Sequence, residues 1–211
     1  CRTAAERFDL LARRGDRATL ADVLEAFNVE KLNKEFFTDF RKAFDVVVKD
    51  ILGHNQGWER SDAERETQTL LSRLLFLYFI QRKGWLNRQR DYFIRNFKRI
   101  IAGAPDGISF YDQFLRPFFV QLSDNEAYFP NLDLGDLPFL NGGLFDDEIG
   151  SLTERGRMKV GNPALRHVFD HLLEAYNFTV REDTPLNQEV AIDPEMLGKV
   201  FESLVLQLEQ S

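Results

Sequence analysis

Residues 70–80 read LLSRLLFLYFI, and the fold turns on whether this run crosses a membrane or lies inside a protein. A bilayer span needs roughly 20 apolar residues in succession. This run is far shorter, and Arg73, Arg82 and Lys83 bracket its most apolar part, LLFLYFIQ at 74–81. Ser61 followed three residues later by Glu64 has the form of a capping box that opens a helix upstream of it. Gly84 is placed to end that helix. A helix that is apolar almost all the way round belongs at the centre of a domain. The run therefore predicts a buried central helix.

Helical periodicity continues on both sides. Between residues 28 and 52, Leu32, Phe36, Phe40, Ala43, Phe44, Val47 and Ile51 recur at spacings of three and four, while Glu30, Lys34, Asp39 and Lys42 fall mostly elsewhere. Thr19 with Asp22 fits the cap of a shorter helix before it. A third helix is expected over 88–101. At 100° per residue, Phe93, Ile94, Phe97, Ile100 and Ile101 share one side and Arg88, Arg95, Lys98 and Arg99 the other. GAPDG at 103–107 reads as a turn, and a Phe-rich helix over 110–122 is expected to kink or divide at Pro117.

The segment 123–160 holds most of the Gly and Pro signals, so turns anchored by Phe129, Leu137, Phe139, Leu144 and Phe145 are expected there. Helix resumes near Pro163, with Leu165, Val168, Phe169, Leu172, Leu173 and Tyr176 as its core stripe. NFTV at 177–180 and EVAI at 189–192 are β-prone around a turn-like EDTPLNQ, which predicts a small hairpin. The expected class is mainly α: a multi-helix bundle with a buried central helix, a long irregular segment and one small β-hairpin near the C-terminus. Four sections follow: a helical lead-in at 1–28, a helical bundle at 29–122, a loop-rich segment packed on it at 123–160, and a helical segment with the hairpin at 161–211.

Composition is that of a globular chain, with 211 residues, 44% hydrophobic and 29% charged. Its unusual feature is 20 Phe, which calls for a core of bulky rings or an apolar surface that another domain covers. One cysteine, Cys1, excludes an internal disulfide framework and fits a reducing cytosol, so a cytoplasmic protein without a membrane segment is expected. A start at Cys1 rather than Met suggests a piece of a longer chain.

A net charge of −7 argues against an independent nucleic-acid-binding module. The charge is unevenly spread, however. Residues 81–101 carry seven basic residues (Arg82, Lys83, Arg88, Arg90, Arg95, Lys98, Arg99) against Asp91 alone, and 117–154 carry eight acids and no Lys or Arg. The basic helix is the best binding candidate, since cations on one face can neutralise phosphates and Trp85 and Tyr92 nearby can stack or pack. The competing reading is a solvated face paired with the acidic middle of the chain.

Other constellations carry less. His167 and His171 stand four apart with Glu174 beyond, but a zinc protease helix needs Glu where Val168 stands, and ordinary surface residues are expected. Asp146, Asp147 and Glu148 follow a Gly-Gly turn and read as a solvated turn. No G-x-G spacing, no G-K-[ST] and no acid-x-Lys pair occurs. No catalytic, cofactor-binding or metal-ligating residue is assigned.

The stretch DPEMLGKVFESL at 193–204 resembles a helix of bacterial adenine-N6 DNA methyltransferases, including type I modification subunits and fused type IIG enzymes. In that family an LG-x-x-[FY]-E-x-L helix precedes the methyltransferase core; here Leu197, Gly198, Phe201, Glu202 and Leu204 match it. RLLFLYFIQRKGWL at 73–86, FLNGGLFD at 139–146 and NFTVREDTPLNQEVAIDPEMLG at 177–198 are similar to stretches of the same fused family, which more often has Glu where Asp146 stands. The resemblance implies a helical connector that precedes a methyltransferase core and, in fused members, follows a nuclease domain. It implies S-adenosylmethionine for the parent, Mg if a nuclease is present, and DNA as the partner. Asp193, Gly198, Phe201 and Glu202 would then dock the neighbouring domain, and Arg88, Arg95, Lys98 and Arg99 would touch the DNA backbone. The alternative is a stand-alone protein-interaction or DNA-binding helical module.

Overall fold

A computed structural model describes residues 29–103, 109–123, 129, 132–140, 144–145, 158–178 and 191–192. Helix α1 spans Val29–His54, α2 Arg60–Arg82 and α3 Tyr92–Ala102. A π-helical turn at Tyr111–Leu115 runs into α4, Arg116–Ser123, and α5, Asn162–Val168, runs into a second π-helical turn at Phe169–Leu173. Strands β1, Asn177–Phe178, and β2, Ala191–Ile192, complete the described elements. The mainly helical class is the one expected. The chain divides into two compact units, Cys1–Ala43 with Val168–Ser211, and Phe44–His167.

In the first unit, the stripe residues Leu32, Phe36, Phe40, Phe169, Leu172 and Leu173 are fully buried. The Phe36 ring meets Tyr176 edge-on at 5.1 Å and Phe178 at 6.4 Å. A buried phenol needs a partner for its hydroxyl, and Tyr176 donates to Asp39 Oδ2 at 2.9 Å. The two strands fall within the β-prone stretches, but the hairpin is corrected. Asn177 pairs with Ala191 and Phe178 with Ile192 in parallel. A hairpin joins antiparallel strands, so the parallel pairing excludes it.

In the second unit, α2 is the central helix: Leu70, Leu71, Leu74, Leu75, Leu77, Tyr78, Phe79 and Ile80 are all buried. Its start is corrected by two residues. The capping box is Glu59 with Asp62, not Ser61 with Glu64, and the Asp62 carboxylate accepts from the Glu59 N–H at 3.4 Å. An acid can accept at the cap as a hydroxyl does, and Asp62 also meets the positive end of the helix. At the other end the Gly84 N–H reaches Gln81 O at 2.8 Å and the Trp85 N–H reaches Ile80 O at 3.3 Å. This closure requires the φ of +75° that Gly84 adopts.

The abundant Phe form one connected ring system in this unit. Tyr78 stacks on Phe93 at 5.8 Å, Phe93 meets Phe118 edge-on at 5.2 Å, and Phe118 stacks on Phe114 at 5.8 Å. Phe114 stacks on Phe110 at 4.9 Å, and Phe110 meets Phe97 edge-on at 5.0 Å. Fully burying each such ring is worth about 1.5–3 kcal/mol. The helix is not divided at Pro117. Lacking an N–H, Pro117 cannot bond to the carbonyl four residues back. The chain widens to a π-helical turn at Tyr111–Leu115, with the Arg116 N–H bonded to Tyr111 O, and then proceeds as α4.

The irregular segment is anchored differently from expectation. Leu134 and Phe145 are buried, Phe129, Leu137 and Leu144 are half-buried, and Phe139 is 50% exposed. Polar ties hold residues 159–162. Asp50 Oδ2 accepts the Gly161 N–H at 2.6 Å, Ser109 Oγ donates to Val160 O at 2.9 Å, and Asn162 Oδ1 accepts the Phe110 N–H at 2.8 Å. The cap at Thr19 and Asp22, and the GAPDG turn beyond Gly103, lie outside the described residues.

Candidate nucleic-acid interface

The basic helix α3 begins at Tyr92, not at Arg88. Asn87 and Arg88 adopt φ of 48° and 56°, a left-handed conformation that no helix continues through. Arg88 therefore belongs to the connecting turn and is exposed there, while Arg95, Lys98 and Arg99 share the exposed face of α3. The opposite face buries Phe93 and Phe97 and half-buries Ile94, Ile100 and Ile101, as the periodicity predicts.

Several bonds hold this face in place. Gln81, fully buried at the end of α2, accepts the Phe93 N–H with its Oε1 at 3.1 Å, satisfying a free donor in the first turn of α3. Tyr92 is buried and donates to Leu134 O at 2.8 Å. Its burial pushes the phenol pKa far above the ordinary value; the Asp133 charge adds to the shift and Arg99 opposes it. Tyr92 is thus a packing residue rather than one free to stack on a ligand. Asn96 Nδ2 donates to Tyr92 O at 2.8 Å, and its Oδ1 accepts from an Arg99 guanidinium nitrogen at 2.9 Å, orienting that cation.

The competing pairing of this face with the acidic middle of the chain falls mostly outside the described residues, and the ion pair described on the face is a local one. Arg95 lies 3.4 Å from Asp91 across an exposed i, i+4 pair, a geometry that neutralises little in water. Among the described residues, Lys83, Arg88, Arg90 and Lys98 make no ion pair. Trp85, between these cations in sequence, is 59% exposed. A surface with unneutralised cations and an exposed aromatic ring suits a polyanion.

No sequence pattern marks Asn87 or Asp136. The Asn87 N–H donates to Asp136 O at 2.7 Å and Asn87 Oδ1 accepts the Asp136 N–H at 3.3 Å, fastening the turn to the irregular segment. The one visible signal was an amide, Gln81, closing an otherwise apolar run. His167 is half-buried and His171 exposed, and among the described residues no group of three or more His, Cys, Asp or Glu could hold a metal ion. Asp146, Asp147, Glu148, Asp193, Gly198, Phe201 and Glu202 lie outside the described residues. Among the described residues no helix is long and apolar enough to cross a membrane.

No family model and no solved structure matches the chain. A protein of Methanocaldococcus jannaschii, named as a type II restriction enzyme and methyltransferase, is 28% identical over 153 residues. That match takes in 68% of this chain and 12% of the relative, so the chain spans a small part of the relative's length. The similarity is therefore to one section of a restriction–modification protein.

Proposed function

We propose that the chain is a non-catalytic helical scaffold of a restriction–modification enzyme that methylates adenine in DNA. The similarity to a section of the M. jannaschii protein carries this reading. A rigid aromatic core and a fixed cationic face are what a connector needs to hold catalytic domains around a duplex. In this reading S-adenosylmethionine belongs to the parent's methyltransferase core and Mg to a nuclease domain where one is present. Asp193, Gly198, Phe201 and Glu202 dock that core, Arg88, Arg95, Lys98 and Arg99 contact DNA phosphates, and the enzyme works in the cytoplasm.

The test is methyl transfer by the full-length enzyme. Arg95, Lys98 and Arg99 changed together to Gln are expected to raise KM for DNA several-fold while kcat holds, since these residues position DNA and touch no reacting atom. An unchanged KM removes the scaffold's DNA contact. A collapse of kcat alone, with KM intact, places these residues in the chemistry and overturns the non-catalytic reading.

A further inference from the structure

The turn between α2 and α3 presents one large ring to solvent on a rigid mount. Trp85 is 59% exposed, while the next residue, Leu86, is fully buried and pins the turn from within. The turn is also held at both ends. Gln81 joins the end of α2 to the start of α3, and Asn87 exchanges two hydrogen bonds with Asp136. A Cβ on Gly135, which has φ +70°, would overlap the Asn87 carboxamide, so the irregular segment lies hard against this turn. Exposing an indole costs the burial it would otherwise gain. Lys83, Arg88 and Arg90 flank it in sequence, are exposed, and have no ion-pair partner among the described residues.

We infer that Trp85, with Lys83, Arg88 and Arg90, forms a stacking platform for an unstacked base of a nucleic acid. The inference rests on the DNA-contacting reading above and adds a ligand state to it: a base out of its stack, rather than an intact duplex. Cations alone recognise phosphates without regard to pairing. An aromatic face between cations adds a term that only an accessible base can collect, because paired bases inside a duplex hide their faces. The positive φ values at Asn87 and Arg88 fit a turn fixed before binding, which lowers the ordering cost of stacking.

The experiment compares full-length protein carrying Trp85→Ala, Trp85→Phe or the Arg95, Lys98 and Arg99 triple change to Gln. Binding is measured to an intact duplex, to the same duplex with one unpaired base, and to a single strand. Trp85→Ala is expected to weaken binding to the two unpaired forms by about tenfold, within the roughly 5- to 150-fold that one stacked base supports. It should leave the intact duplex and the salt dependence unchanged, and Trp85→Phe should recover most of the loss. Thermal unfolding checks that the exposed ring can be removed without loss of fold. If Trp85→Ala binds all three forms like the wild type while the triple change weakens them, the platform fails and the phosphate contact stands. If neither change matters, both readings fail. An equal loss on all three forms overturns stacking on an unstacked base, and a loss of self-association or partner binding with DNA binding intact assigns Trp85 to a protein surface.

Discussion

Asn55 pairs with Lys159 as a strand neighbour would. Its Oδ1 accepts the Lys159 N–H at 2.8 Å, and its Nδ2 donates to Lys159 O at 2.9 Å and to Ile51 O at 2.7 Å. A side chain at the end of α1 thus satisfies the backbone of a residue 104 positions later. Asn55→Ala removes both part-buried bonds to Lys159, and a loss of about 1–2 kcal/mol is expected. Urea unfolding measures it; a loss below about 0.5 kcal/mol would mean that water replaces the amide.

Arg73 is a second tie of this kind. It is 8% exposed, its Nε donates to Leu144 O at 2.7 Å, and its guanidinium lies over Phe119 at 5.2 Å and Phe145 at 6.0 Å. Arg73→Lys keeps the charge but loses the planar stacking surface and the fixed donor geometry. Both Arg73→Lys and Arg73→Ala should destabilise, by about 2–4 kcal/mol for alanine. Limited proteolysis next to Leu144 should quicken in both variants. Equal stability for wild type and lysine variant would show that charge alone suffices.

Tyr92 gives the protein an alkaline limit. Its folded pKa is raised above the ordinary phenol value near 10, chiefly by burial and then by Asp133. Above the unfolded pKa the unfolded chain releases this proton and the folded chain keeps it. Stability is therefore fully present below about pH 10 and falls as pH rises from there toward the folded value, by about 1.4 kcal/mol per unit at most. Denaturation between pH 9 and 11.5 should show the fall beginning near pH 10, and Tyr92→Phe should flatten it. A limb equally steep in the phenylalanine variant would assign the effect to other groups.

Much of this was legible in the sequence because long amphipathic patterns are decided by burial. The stripes of α1, α2 and α5 fall where their spacing puts them. The misses are places where a few polar bonds outweigh the pattern. α2 starts at a box of two acids, which the Ser-x-x-Glu signal conceals. Arg88 has helical spacing but sits in a left-handed turn fastened by Asn87 and Asp136. Phe145 packs against Arg73 and Phe119, partners far away in sequence, while Phe139 stays exposed, which no local pattern distinguishes.

Gly135 offers a direct check on that fastening. Its φ of +70° and the adjacent Asn87 carboxamide leave no room for a methyl group. Gly135→Ala should cost about 1–2 kcal/mol from backbone conformation alone, with overlap added. A neutral effect in thermal unfolding would show that the turn relaxes freely, and the mount for Trp85 would then not be rigid.

The measurement that bears most directly on the DNA-facing role is the salt dependence of DNA binding by the full-length protein and by the Arg95, Lys98 and Arg99 triple change to Gln. Three lost phosphate contacts should reduce the slope of log affinity against log salt by about 2–3. An unchanged slope would contradict phosphate contact by the exposed face of α3.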